Sequence, residues 1–347
     1  KNKELFYKKS ANFYNFKSFL DCIKRLRKLP NNFYFIDGWN NSFIPNIIQQ
    51  LLILKGGKKI SMAFGTPEIK GKALKIFLSQ KKSIGSVMWL FFKIIKALLS
   101  KLNHKTFNPN PNYLLTSGNL EVKNFNKNRT KIKIINSHSF DYEKYLKLKN
   151  KPMNKDLKDS IVYIDQDHEG NYDKILNKAN YPVTKDFHWK SLNNFFDQLS
   201  KKLNKKIIIA AHHRRDKKIN IETNYEIEYS QTANLIKNSS LILAHYSSAI
   251  SLAILFKKPI VFITTDELEN FKYTELHIKK YAQELNNKVI NINKFNFPEN
   301  YDFFHFDDNA YKKWKENYIK SPKSQIKSFW FDFIDILENE NKMITNL

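Results

Sequence analysis

Short apolar runs recur along the chain, separated by stretches with helical spacing. Residues 33–36 (Phe-Tyr-Phe-Ile) run into Asp37-Gly38, a strand followed by a turn. Residues 44–54 have the length and apolar content of a helix that stops at Gly56-Gly57. Strand-like runs follow at 59–64, 113–116 and 132–135, and in the second half at 161–164, 207–211, 241–244, 259–263 and 289–292. Between these, 192–203 sets Leu192, Phe195, Phe196, Leu199 and Leu203 on one helical face, and shorter helices are expected at 232–237 and 248–256. Strands separated by helices predict an α/β protein with parallel sheets covered on both faces.

A length of 347 residues suits two cores of roughly 100–200 residues each. The Lys-rich stretch 147–158, which contains Pro152, reads as the linker. The expected division is therefore 1–150, 151–300 and a group of C-terminal helices in 301–347 that packs back on the first domain.

Charge changes the picture next. Lys and Arg total 59 against 33 Asp and Glu, a formal net charge of +26. Lysines dominate and are scattered, with no compact basic module, so no nucleic-acid partner is expected. A compositional bias toward Lys, Asn, Ile and Phe accounts for the charge most simply, and attraction to a polyanionic substrate or an anionic membrane surface is the next reading. Residues 87–102 are apolar but carry Lys93, Lys96 and Lys101. That run is short of the ~20 apolar residues a membrane span needs. It suits either a helix lying in the headgroup region or a core helix whose lysines reach outward. The single Cys22 excludes an internal disulfide and a multi-Cys metal site. With no signal-peptide pattern in view, the expected location is the cytoplasm, peripheral on the inner membrane.

In an open parallel sheet, ligands bind beyond the carboxyl ends of the strands. Asp165 follows the run 161–164, His212 follows 207–211, and His245-Tyr246-Ser247-Ser248 follows 241–244. Two hydroxyls where a strand passes into a helix make a phosphate cradle without a glycine-rich loop or a metal. A neighbouring imidazole adds a charge-assisted donor. His213, Arg214 and Arg215 raise the local positive potential, and Thr265 stands where a donor's ribose or base would reach or, equally, where the next helix would be capped.

These segments carry a resemblance. Ala211-His212 after a buried strand, Ala244-His245-Tyr246-Ser247-Ser248 opening a helix, and Pro259-Ile260-Val261-Phe262 are similar to bacterial GT-B sialyltransferases and related transferases of sialic-like sugars. The likeness covers about residues 160–295, and the first half by architecture. It implies two Rossmann-like doubly wound domains facing a cleft. It implies an inverting, metal-independent transfer of a sialic-acid-like or Kdo-type sugar from a CMP donor to a glycan or lipid-linked acceptor, with no cofactor beyond the CMP-activated co-substrate. A His-Pro and a Ser-Ser motif grip the donor phosphate in that family; here His213 stands in the proline's place. A carboxylate is the base. The acidic motif that supplies it has no clean match, and Asp165, Asp141 and Asp37 are the candidates, in that order. Two other readings keep some or none of this chemistry: a GT-B-like enzyme of a UDP-sugar (transferase or epimerase), and a non-enzymatic basic protein that binds polyanions.

Overall fold

The computed structural model describes residues 19–37, 43–65, 67, 110–119, 132–170, 182–215, 221–324, 328, 333–335 and 338. The amphipathic run 87–102 and Gly38 lie outside them.

Helix α1 (Phe19–Leu26) precedes β1 (Phe33–Asp37), α2 (Phe43–Leu54), β2 (Gly57–Ala63), β3 (Tyr113–Thr116) and β4 (Lys133–Asn136). The four strands form one sheet in the order β1-β2-β3-β4. β1 and β2 pair in parallel, Phe33 opposite Gly57. Asn112 N–H donates to Lys59 C=O and Ser117 N–H to Ala63 C=O, and Lys133 and Ser137 repeat that direction against Asn112 and Thr116. All four strands are therefore parallel.

The second sheet has six strands: β5 (Ile161–Ile164), β6 (Ile207–Ala210), β7 (Glu226–Glu228), β8 (Leu241–Ala244), β9 (Ile260–Thr264) and β10 (Val289–Asn291), ordered β10-β9-β8-β5-β6-β7. Every pair is parallel. Numbered within the sheet this is 3-2-1-4-5-6, the doubly wound order whose reversal point lies between the first and fourth strands, here β5 and β8. The central strands read Ile-Val-Tyr-Ile, Ile-Ile-Ile-Ala, Leu-Ile-Leu-Ala and Ile-Val-Phe-Ile-Thr and are buried throughout. Such unbroken apolar runs belong to parallel strands covered on both faces.

One face is covered by α4 (Lys185–Leu203), whose Trp189, Leu192, Phe195, Phe196 and Leu199 pack on Tyr163, Ile209 and Leu243. Helix α4 begins before the expected Leu192 because the stripe of buried residues extends back to His188. It ends at Asn204, whose left-handed backbone (φ 50°) stops the helix. The other face carries α3 (Phe140–Leu148), α5 (Thr232–Asn238), α6 (Ile250–Leu255), α8 (Lys272–Glu284) and α9 (Asp308–Trp314), meeting Val162, Ile208, Ile242 and Phe262. A short α7 (Asp266–Asn270) links β9 to α8.

Two compact units divide the chain, and the second holds the six-stranded sheet with the described residues from Ile134 onward, together with the described residues 63–65, 67 and 115–119. Helix α3, placed before the expected 150/151 boundary, belongs to this second unit. So does α9, whose Tyr311 and Trp314 enter the same core as Tyr142 of α3. The π-helical segment Lys315–Ile319 that follows runs over the carboxyl end of β3. Ser117 Oγ donates to Tyr318 C=O at 2.8 Å. Gly118 sits so close that a Cβ there would lie 1.9 Å from Asn317 O.

Candidate functional site

A cavity of about 430 Å3 opens within the second unit at the carboxyl ends of β5, β6 and β8. It therefore lies at the sheet's reversal point, where the strand order leaves a crevice. Its floor is apolar: Ile164, Ala210, Ala211, Ala249 and Leu252. Its polar groups come from four directions. Ser247 and Ser248 follow β8, His212 and His213 follow β6, Ser230 precedes α5 and Thr232 opens it, and Asp141 and Lys144 project from the start of α3. The three strongest sequence candidates, His212, Ser247 and Ser248, are thus brought together, and Asp141 joins them.

His212 is half-buried. Its backbone N–H donates to Asp165 Oδ2 at 3.0 Å, and its Nδ1 accepts from Arg214 N–H at 3.4 Å. Acceptance at Nδ1 leaves the proton of the neutral ring on Nε2. Burial lowers the imidazole's pKa, helped by His213, Arg214 and Arg215 and opposed by Asp165. Near neutral pH the ring is an uncharged N–H donor. Arg214 is exposed and serves here through its backbone N–H. Ser247 Oγ accepts from Ala249 N–H at 3.2 Å, which fixes the turn, while Ser248 is exposed at the mouth.

Asp165 also lines the cavity, yet its oxygens are taken. Arg215 Nε reaches Oδ2 at 2.5 Å and Nη2 reaches Oδ1 at 2.7 Å, while the N–H groups of His212 and Asp167 supply two more bonds. Burial alone would raise its pKa, but the Arg215 pair and the backbone donors outweigh it and the value falls. A carboxylate so stabilised in its charged form is a poor proton acceptor. Ranking Asp165 first as base is corrected on that ground: it anchors the His212 backbone.

Arg215 was expected only to add positive potential; its pairing with the carboxylates is what sequence reasoning missed. It also meets Asp167 at 3.1 Å and Glu169 at 2.8 Å, and its guanidinium lies 5.6 Å from the Trp189 ring centre. Trp189 Nε1 donates to the same Glu169 oxygen at 2.7 Å. The signal was the alternation Asp165-Gln166-Asp167-His168-Glu169 after a buried strand, three carboxylates that require a cation.

Asp141 is the other cavity carboxylate. It lies in the first turn of α3, behind the Ser139 N-cap. Lys144 Nζ meets its Oδ1 at 3.1 Å. Burial raises its pKa and Lys144 only partly offsets that. A partly desolvated carboxylate with a raised pKa, set on a cavity wall, is what a general base requires. Asp37 is engaged within the first unit. Lys59, buried, approaches it at 2.9 Å, and Gln49 Nε2 donates to it at 3.2 Å.

Two other candidates are structural. His245 is fully buried on the α4 face: Nδ1 donates to Ile263 C=O at 2.7 Å and Nε2 accepts from Tyr163 OH at 3.1 Å. Burial holds its pKa at about 3. Thr265 is buried, and its Oγ1 accepts from Leu268 N–H as the N-cap of α7. Both stand at strand ends, but neither side chain lines the cavity. Among the described residues, no group of three or more His, Cys, Asp or Glu is placed to hold a metal ion, and no helix is long and apolar enough to cross a membrane.

No family model matches the chain, and no curated protein does. Solved structures do resemble it. The UDP co-structure of Staphylococcus aureus MnaA is 12% identical with a TM-score of 0.45, covering 94% of this chain and 81% of that one. The H444N variant of the wall teichoic acid polymerase TagF is 12% identical with a TM-score of 0.43, covering 94% and 86%. The spinosyn forosaminyltransferase SpnP is 13% identical with a TM-score of 0.38, covering 82% and 66%. At these values the chemistry has to be read from the cavity itself.

Proposed function

We propose that the protein is a glycosyltransferase that holds the phosphate of a nucleotide-sugar donor on Ser247, Ser248 and His212. One observation carries this reading: the two hydroxyls, a neutral imidazole N–H donor and a carboxylate of raised pKa line one cavity over an apolar floor at the sheet's reversal point. The donor is a CMP-activated sialic-acid-like or Kdo-type sugar, and the acceptor a glycan or lipid-linked sugar. Asp141 takes the proton of the acceptor hydroxyl. The freed oxygen attacks the anomeric carbon, the bond to the phosphate oxygen breaks, and CMP leaves with inversion. His212 Nε2–H donates to the phosphate as its charge grows. This chemistry asks for neither metal nor cofactor. The chain's charge of +26 favours work beside an anionic surface, with the cytoplasmic face of the inner membrane as the proposed location.

Thermal unfolding with CMP, UDP and GDP tests the reading. A nucleotide at a hundred times its Kd stabilises by about 2.7 kcal/mol. CMP is expected to raise the midpoint and UDP and GDP are not. A shift by UDP alone would move the protein to UDP-sugar chemistry. No shift by any nucleotide, with tight salt-sensitive binding to polyanions, would make it a basic binding protein.

A further inference from the structure

Two carboxylates line the cavity, in opposite conditions. Asp165 is locked by Arg215 and two backbone N–H groups. Asp141 is held by Lys144, one turn along the same helix, whose side chain is 57% exposed. The Asp141 side chain is 17% exposed. The cation is thus free to swing, while the carboxylate stays on the wall.

We propose that Lys144 couples donor binding to the readiness of Asp141. In the unliganded protein it neutralises the carboxylate. With a nucleotide phosphate on Ser247, Ser248 and His212, it turns to the phosphate and leaves Asp141 unpaired. The proposal rests on the phosphate site described above.

The direction of the exchange follows from the chemistry. An ion pair three residues apart on a helix whose lysine is 57% exposed is a weak one. A lysine ammonium offers three donors on a flexible stem, and its bond to a phosphate oxygen is a strong, charge-assisted one. Lys144 and the serine pair line one cavity, so the stem spans a local distance. The departure of Lys144 removes the influence that lowers the Asp141 pKa and leaves the burial that raises it. Asp141 then becomes a stronger base when, and only when, the donor is seated. The other titratable groups lining the cavity are Asp165, itself paired with Arg215, and His212 and His213. Lys144 is not among the groups that shift Asp165 or His212.

Nucleotide binding should therefore be accompanied by partial proton uptake at Asp141 on the acid side of neutrality, while at higher pH the carboxylate stays ionised and available as the base. Calorimetric titration of the full chain with CMP, near pH 6 in two buffers of different ionisation enthalpy, measures that uptake. The wild type is expected to take up protons. Lys144→Met is expected to bind CMP about tenfold more weakly and to take up fewer protons, because its Asp141 has no cation to lose. Lys144→Arg should restore both. Asp141→Asn, which frees Lys144 beforehand, should bind CMP at least as tightly and lose this share of the uptake, leaving only that of His212 and the phosphate. Lys144→Met with wild-type affinity and wild-type uptake overturns the coupling while leaving the phosphate site standing. Failure of the wild type to bind CMP, CDP or UDP overturns both.

Discussion

Arg215→Ala would leave three buried carboxylates facing one another. Their side chains, on Asp165, Asp167 and Glu169, are 1%, 5% and 5% exposed, and the guanidinium that meets them is 2% exposed. Breaking a buried pair by removing one partner costs about 3–5 kcal/mol, because the charge left behind is neither paired nor hydrated. In a unit of this size each kcal/mol moves the melting midpoint by roughly 2–4 °C, so the variant should melt about 6–20 °C lower. The pH dependence separates lost charge from lost packing on Trp189. Asp165 has a lowered pKa in the fold, so its contribution is present above the unfolded value of about 3.9 and is lost as pH falls through the folded one. Without Arg215 the buried carboxylates bind protons more readily than in the unfolded chain. The deficit relative to wild type should be full near pH 7 and shrink as pH falls toward 4. Urea unfolding of both proteins at pH 7, 5.5 and 4 reads this directly. A deficit under about 1 kcal/mol, or one that does not change with pH, would refute the reasoning.

His188 and His245 have pKa values lowered by burial to about 4 and about 3. The unfolded chain therefore binds more protons than the fold below about pH 6.5, and stability should drop by up to ~1.4 kcal/mol per pH unit per histidine as pH falls; His188→Gln should flatten that slope in acid unfolding. His212→Ala should abolish stabilisation by CMP while moving the nucleotide-free midpoint little, since the ring is half-buried; a retained CMP shift would remove His212 from the phosphate site. Asp141→Asn should lower turnover by about 10²–10⁴-fold with the CMP shift intact, as followed by CMP release from a CMP-sugar. Gly118→Ala should cost about 1–3 kcal/mol or more, because the new methyl meets the Asn317 carbonyl, a backbone atom that cannot turn aside; thermal melting checks it.

The central strands were legible because parallel strands buried on both faces must be apolar without interruption. β5 and β8 were expected at the bounds they have, and β6 to within one residue. β7 was not, since an edge strand reading Glu-Ile-Glu carries charge on its open side. Helix α3 was obscured by Lys144 and Lys147, exposed on a helix whose single fully buried side chain is Tyr142. At the site, position along a strand was readable but the face was not. His212, Ser247 and Ser248 follow strand ends and line the cavity; His245 and Thr265 follow strand ends and are buried elsewhere. Successive residues leave a strand on opposite faces, so one step of register separates a ligand group from a core histidine. Arg215 pairs with Asp165 across fifty positions of sequence, and no local pattern encodes such a contact.

The same network explains why the imidazole at the cavity is uncharged. Asp165 binds the His212 backbone rather than its ring, and Arg215 pairs with both carboxylate oxygens. The ring meets burial first and then His213, which lower its pKa, and Arg214 and Arg215 add to them; the opposing charge of Asp165 does not reverse the shift. In the proposed reaction this condition is useful. A neutral Nε2–H donor binds a ground-state phosphodiester only moderately. As the bond to the sugar breaks, charge gathers on the leaving phosphate, and that charge raises the pKa of the imidazole beside it. The interaction therefore strengthens along the reaction coordinate, which is the condition for speeding a step rather than only binding its substrate. A histidinium held charged beforehand by a direct carboxylate contact would lose much of that difference. The Arg215 clamp, by keeping Asp165 for the backbone, preserves it.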